Sequence, residues 1–503
     1  MKKKILIIAA LFAPLSLLIS PCAAQDAVYK LLKQEWTVNA DGTSDYHYRH
    51  EVQILRNRAL VAYADKGETF VVYNPDLEEL TINEVFTVSA DGSRVDMPQN
   101  AFVYQLPSSC ADCGRFNHIR ELAMVHTGME IGCVIVVDYT IHRRYNLINE
   151  TLTLARECPI EKLEIKVSVP EDQELNVQFE DPQVLPFRSE TGRTATSYLL
   201  RANNVQPRFV DNYLPSDQQL YPTLHFFNGI PEFVAAIDDT PAERTAAILR
   251  AATEAAGQIV PLPEAGSSSD KAIVMAMRDF VASNIHCNPL PPAKLGYVYS
   301  TPVQTWQSGC GTETDRAVLL TALLNEAGFS ARVVGDSYNE VGVMLDTIEY
   351  LLPLMAKAPM EVNGKAKNIV DTIVMEGTVE VKLNPLEGGY YKLTLPSPRQ
   401  WNGQRNLAQT RTAPLKASPC NVRCNVTIPL PKGVKMVNKA TSHSLNFEGV
   451  GSFEYSVKQK GKKLQVVRNI NIEKEYITPE EYAAYRQLMA AWQSYGEVIL
   501  KGK

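Results

Sequence analysis

A chain of 503 residues exceeds one ordinary hydrophobic core, so two or three domains are expected. Apolar content of 45 % and charged content of 21 % are those of globular protein and exclude a largely disordered or fibrous chain. A formal charge of −6 gives no support to a nucleic-acid or other polyanionic partner.

The first 24 residues read as a secretion signal. Lys2, Lys3 and Lys4 form a positive start, Ile5 to Ile19 an apolar stretch, and Cys22-Ala23-Ala24 a small-residue cleavage site. The mature chain is expected to begin at Gln25, which removes three lysines and takes the charge to −9. A lipid anchor on Cys22 is disfavoured by Pro21 immediately before it. No later run approaches the roughly 20 apolar residues needed to span a bilayer. The expectation is an exported protein, periplasmic or at the cell surface. Eight cysteines then face an oxidising compartment, Cys110, Cys113, Cys133, Cys158, Cys287, Cys310, Cys420 and Cys424, an even number whose pairing the count leaves open.

Residues 25–215 carry strand signals. Asp41-Gly42 and Asp91-Gly92 are hairpin turns, "LTINEVFTV" and "CVIVVDYTI" are β-branched runs, and "LEIKVSVP" alternates Leu163, Ile165, Val167 and Val169 on one face. An antiparallel β-sandwich is expected. A connector over 216–240 leads to helical sequence. Asp239-Thr240-Pro241 opens one helix, "KAIVMAMRDFVASNI" forms a second, and "SGCGTETDRAVLLTALLNEAGFSARVV" reads as a glycine-bearing loop, a helix and a strand. This makes 241–378 an α+β core. Strands return over 379–503, with "SFEYSVKQ" and "KLQVVRNINI" flanking Lys460-Gly461. Thr478-Pro479-Glu480-Glu481 starts a last helix as a capping box, and Tyr482, Tyr485, Met489, Trp492 and Tyr495 form a stripe that reads as a docking face.

Cys310 is the one candidate nucleophile. A thiol ahead of a helix can be activated by the positive end of that helix, but it can equally be a small buried residue or half a disulfide. Cys110-Ala-Asp-Cys113, with His118 and His126 downstream, offers either a disulfide or metal ligands, and the spacing fits no recognised four-ligand zinc pattern. His286-Cys287 are adjacent residues whose side chains point apart. His47 and His50 read as surface or partly buried histidines. Cys420 and Cys424 either pair locally or bridge elsewhere. No phosphate-cradling glycine motif and no calcium-loop pattern is present.

The segment Trp306 to Val334, with a β-rich region before it and "EYITPEEYAAYRQLMAAW" at the end, resembles the exported transglutaminase-like proteins of Gram-negative bacterial envelopes. The resemblance implies a papain-like core in which a cysteine at a helix start attacks an acyl group, followed by a histidine and an acidic residue on neighbouring strands. The thiolate attacks, imidazole moves the proton, and the carboxylate orients the imidazole. The family pattern at that helix is G-D-C-K-D-K-A. Laid without a gap on Gly311 to Ala317, it puts Glu313 in the nucleophile's place and leaves Cys310 three residues early, about 4.5 Å and 300° away along a helix. The histidine is expected after the strand, yet none occurs from Gly335 to Pro398. "LPLMAKAPMEVNGKAKNIV" supplies Met355, Lys357 and Met360 instead, and His443 lies beyond the core.

The fold expected is therefore an N-terminal antiparallel β-sandwich, a papain-like transglutaminase-type α+β core, and a C-terminal β-region closed by a helix. The expected function is a degenerate core serving as a non-catalytic binding or assembly module for a peptide, cell-wall fragment or protein partner, with no cofactor and no metal. The alternative is an active cysteine acyltransferase or peptidase that uses Cys310 and an imidazole such as His286.

Overall fold

The chain is described from a computed structural model over residues 26–60, 70–229, 270–335, 341–345, 350–353, 361–362, 365–366, 383–395, 407–437, 440–494 and 497–502. The signal segment, the helix expected from Asp239, the positions Met355, Lys357 and Met360, and Tyr495 lie outside the described residues.

Strand β1 (Ala27–Val38) turns at Asp41-Gly42 into β2 (Ser44–Ile54). The turn is built as its residues suggest. Gly42 takes φ +86°, and the Asp41 carboxylate accepts hydrogen bonds from the Thr43 amide (3.1 Å) and hydroxyl (2.6 Å). The remaining strands of this part are β3 (Phe70–Tyr73), β4 (Glu78–Val88), β5 (Arg94–Asp96), β6 (Phe102–Gln105), β7 (Arg120–Met124), β8 (Val134–Arg143), β9 (Asn149–Thr153), β10 (Ile160–Ser168), β11 (Asn176–Glu180), β12 (Ser189–Arg193), β13 (Ser197–Val205) and β14 (Thr223–Phe227). They form an eight-stranded sheet in the order β12-β13-β10-β1-β2-β8-β4-β5 and two three-stranded sheets, β11-β14-β9 and β3-β7-β6.

The Asp91-Gly92 hairpin joins β4 to β5 in register Val88↔Arg94. In β10, Leu163, Ile165 and Val167 are buried, as their alternation requires. Trp36 of β1 meets Phe226 of β14 edge-on at 5.0 Å between ring centroids, which places the core between the large sheet and the β11-β14-β9 sheet. One expectation needs correction. The large sheet is not wholly antiparallel, because β1 and β10 run parallel, from Tyr29↔Ile160 to Thr37↔Ser168. A parallel neighbour has to return by a long crossover, and 121 residues separate these strands, a separation that alternation of side chains does not register.

The middle part comprises α1 (Asp270–Asn284), β15 (His286–Cys287), α2 (Pro302–Ser308), β16 (Cys310–Gly311) and α3 (Glu313–Glu326). It continues as an antiparallel sheet in sequence order, β17 (Ala331–Gly335), β18 (Val341–Leu345), β19 (Tyr350–Pro353), β20 (Glu361–Val362) and β21 (Lys365–Ala366). Val281, Leu319, Leu320, Leu323, Val343 and Leu345 form its core, with α3 buried between α1 and the sheet. A helix covered on several sides is apolar nearly all round, which explains the run "AVLLTALL".

At the C-terminal end, strands Gly451–Lys460 and Lys463–Ile472 form the hairpin expected at Lys460-Gly461, inside a four-stranded sheet with Cys420–Pro429 and Ala440–Phe447. Helix α4 (Tyr482–Gln493) lays Tyr482, Tyr485, Leu488, Met489 and Trp492 on Phe453, Ile470 and Ile472. The start of α4 differs in detail from expectation. The Thr478 amide donates to Glu481 Oε2 (3.1 Å) and the Glu481 amide to Thr478 Oγ1 (3.4 Å), so the box forms, but it caps a turn and the helix begins at Tyr482.

Candidate functional site

The entrance of α3 is assembled from three short pieces. Helix α2 opens with a capping box, Thr301 Oγ1 accepting from the Gln304 amide and Gln304 Oε1 accepting from the Thr301 amide, and it ends on Gly309 at φ +64°. The chain then extends through β16, which pairs in parallel with β15 as His286↔Cys310 and Cys287↔Gly311. Thr312 caps α3, its hydroxyl accepting from the Asp315 amide (3.2 Å).

Asp315 holds these pieces together. Its carboxylate accepts from the Thr312 amide (2.8 Å) and from the Ser300 amide (2.6 Å), and the residue is fully buried. Gly311 lies against it so closely that a Cβ there would come 2.7 Å from Asp315 Cβ, which only glycine avoids. Thr312-x-x-Asp315 is a local capping box, but the second role of Asp315, carrying the Ser300 loop, depends on a residue fifteen positions upstream.

In this frame Glu313 is the first residue of α3 and is partly exposed, while Cys310 lies in the extended strand ahead of the helix and is buried. The loop does not coil back to bring Cys310 to the helix. Extended residues advance about 3.3 Å each, so Cys310 stands further from the helix start than a helical offset would put it. Its sulfur is also taken. Cys310 is disulfide-bonded to Cys113, 197 residues earlier in the chain, with Cα atoms 5.9 Å apart.

Of the two readings of Cys110-x-x-Cys113, disulfide or metal ligands, the disulfide is the one formed, with a partner outside the motif. Cys113 bridges to the core, and Cys110 is a free, buried thiol beside it. Phe116, Ile119, Leu290, Cys110, Cys113 and Cys310 form one small apolar cluster where the 107–119 loop of the β-domain covers β16. Asn288 adds a polar tie, since its amide Nδ2 donates to the Ser109 carbonyl (2.8 Å) while its backbone N–H donates to Gly311 (2.8 Å). Beyond the cluster, Lys294 Nζ contacts both oxygens of the buried Glu78 carboxylate (3.1 and 3.2 Å), and Tyr145 donates to the Ala293 carbonyl (2.6 Å). Burial pushes the Lys294 pKa down, against the opposing pull of Glu78. Neither Asn288 nor the Glu78–Lys294 pair carries a sequence signal, because each is defined only by what the other domain brings to it.

The histidines are dispersed. His286, the candidate imidazole beside Cys310 in register, is exposed whereas Cys310 is buried. His443 is exposed on the C-terminal sheet. His47 is half-buried and bonds Asp138 (2.8 Å) through Nε2. His50 departs from expectation and is wholly buried, its Nδ1 sharing a hydrogen bond with Tyr48 Oη (2.9 Å). Among the described residues no group of three or more His, Cys, Asp or Glu side chains is arranged to hold a metal. Cys420 and Cys424 sit four residues apart on one strand, about 13 Å by strand rise, so a local disulfide between them is ruled out.

Comparison with known proteins fits this architecture. A domain of unknown function with solved structure, DUF3857, matches residues 40–209, the transglutaminase-like superfamily core matches 262–370, and a second such domain, DUF3858, matches 390–498. The chain carries a transglutaminase-like core flanked by DUF3857 and DUF3858 domains. A crystal structure from Parabacteroides distasonis, described as a "putative protease", is 20 % identical with a TM-score of 0.75, and the match covers 95 % of this chain and 99 % of that one. At that identity the likeness shows the fold. A crystal structure from Legionella pneumophila, described as a "putative nutrient binding protein", covers 60 % of this chain and 94 % of its own at 10 % identity, but its TM-score of 0.18 carries no argument. No curated protein matches the chain.

Proposed function

We propose that this is an exported envelope protein whose transglutaminase-like core is catalytically degenerate and acts as a non-catalytic binding or assembly module for a peptide, a cell-wall fragment or a protein partner. The observation that carries the reading is the state of Cys310: its sulfur is bonded to Cys113 and buried under the β-domain loop. A disulfide sulfur has no thiolate to attack an acyl carbon. Glu313 in the family nucleophile's place supports the same reading, since a carboxylate cannot form the thioester on which acyl transfer through cysteine depends. Export is supported by the signal-like opening of the sequence and by a disulfide between two distant segments, which persists in an oxidising compartment.

The competing reading, a cysteine acyltransferase or peptidase at Cys310, requires that this disulfide be open. Acyl-transfer and peptidase assays on the oxidised protein and after mild reduction with dithiothreitol therefore separate the two. The expected result is no turnover in either state. Turnover that Cys310→Ala abolishes and Cys113→Ala preserves would overturn the proposal, because both variants lose the disulfide and only one loses the thiol.

A further inference from the structure

Cys110 is a free thiol, and it lies in the cluster that holds the disulfide. Cys110 is wholly buried with Cys113 and Cys310, three positions before the former in sequence. The backbone between them is a tight turn in which the Cys113 amide donates to the Cys110 carbonyl (3.1 Å). A turn closed this way holds its end Cα atoms within about 7 Å, close to the span of about 4.4–6.8 Å that a disulfide bridges. Cys113 thus has two partners within reach, one on its own loop and one on the core.

We propose that Cys110, Cys113 and Cys310 form a thiol–disulfide exchange unit that can move the bond from the interdomain pair to the local Cys110–Cys113 pair. The Cys110 thiol loses its proton, and its thiolate attacks the Cys113 sulfur. The Cys110–Cys113 bond forms as the Cys113–Cys310 bond breaks, and Cys310 leaves as a thiolate that takes up a proton. One disulfide and one thiol are present before and after, so the step needs no external oxidant or reductant. Its product has lost the covalent tie between the β-domain and the core and carries a free thiol just ahead of α3. The inference rests on the clamp and is independent of which ligand the module takes.

Two features of the cluster favour exchange over a single fixed bond. The three sulfurs share one enclosure, which keeps both possible partners of Cys113 beside it, and Ser109 Oγ lies 3.9 Å from the Cys110 sulfur, within reach of a developing thiolate. The remaining interdomain ties, Asn288 to Ser109 and Lys294 to Glu78, do not involve sulfur and keep the loop seated while the bond moves.

The test uses the full mature chain without added reductant or oxidant, quenched with acid at intervals, alkylated with iodoacetamide and mapped by mass spectrometry. The expected result is growth of a form with Cys110 joined to Cys113 and Cys310 alkylated, faster at pH 7.5 than at pH 6.5 because the attacking species is a thiolate. Cys110→Ser and Cys110→Ala should each lower Cys310 alkylation at least tenfold. Finding only the Cys113–Cys310 bond in the wild type, or equal Cys310 alkylation with and without Cys110, would overturn the proposal. Should either variant fail to fold, the wild-type map alone decides. Enzymatic turnover of the isomerised form would count against the non-catalytic reading above and leave the exchange standing.

Discussion

At the scale of single residues, the same side chain acquires opposite meanings from its surroundings. Cys310 precedes a helix, the position at which a thiol can be activated, yet its strand faces the neighbouring domain and its sulfur is bonded there. Asp315 sits in the first turn of α3 and is used as a structural anchor for two backbone amides. His126 shows what burial alone does. Neither of its ring nitrogens has a hydrogen-bond partner among the described residues, and burial, reinforced by nearby His50, pushes its pKa down to about 4. In the folded state it is held neutral, whereas in the unfolded chain it protonates near its ordinary value of about 6.5. The stability it contributes is therefore present above pH 6.5 and is lost as pH falls from there towards 4, by up to about 3 kcal/mol. Urea midpoints measured from pH 8 to pH 4 should fall across that window in the wild type. The fall should be flatter by that amount in His126→Phe, and an unchanged slope would show that the imidazole is not the titrating group.

At the scale of elements, the periodic signals held where one domain supplies both faces of a contact. The hairpins at Asp41-Gly42, Asp91-Gly92 and Lys460-Gly461 form at the expected turns, because turn chemistry and alternation are local properties. The α4 stripe likewise packs as its spacing implies. Leu488, fully buried with Tyr485 and Trp492, was not part of the aromatic stripe but occupies the same face. Leu488→Ala should cost about 2–5 kcal/mol through the cavity it leaves, whereas Gln487→Ala, exposed on the other side, should change stability by less than about 0.5 kcal/mol. Denaturant midpoints of the two variants check this, and similar values for both would mean that α4 does not bury its stripe in solution. The end of the helix is tied as well, with Arg468 donating to the Trp492 carbonyl (3.2 Å).

At the scale of the whole molecule, the β-domain and the core meet through a disulfide, an apolar cluster and a buried ion pair. Glu78 accepts from Asn74 and Lys294 and lies 3.4 Å from Arg143, so its charge is balanced by groups from both sides of the seam. Removing one partner leaves the carboxylate incompletely compensated. Lys294→Met should cost about 3 kcal/mol, somewhat less than the loss of a sole partner because Arg143 remains, and Glu78→Gln added to it should restore part of that loss. Limited proteolysis and thermal unfolding report the seam directly, and a double variant no more stable than Lys294→Met would argue against the pair. C-terminal strands are joined to the β-domain by a separate set of bonds, including Asp211 accepting from Thr412 and Ala413.

The three-part organisation, the strand-rich first and last parts, and the helix between the Gly311 loop and the Ala331 strand were all legible from the residues, because propensity and spacing act over a few positions. The parallel pairing of β1 with β10, the burial of His50, the second role of Asp315 and the choice of Cys113 over Cys110 as the bridging thiol were decided by the tertiary structure. Each depends on groups brought together from distant segments, up to 197 residues apart in the case of the disulfide, and no local rule ranks such partners. The sequence determined that Cys310 precedes the helix by an extended step, and the fold decided that its sulfur bonds Cys113.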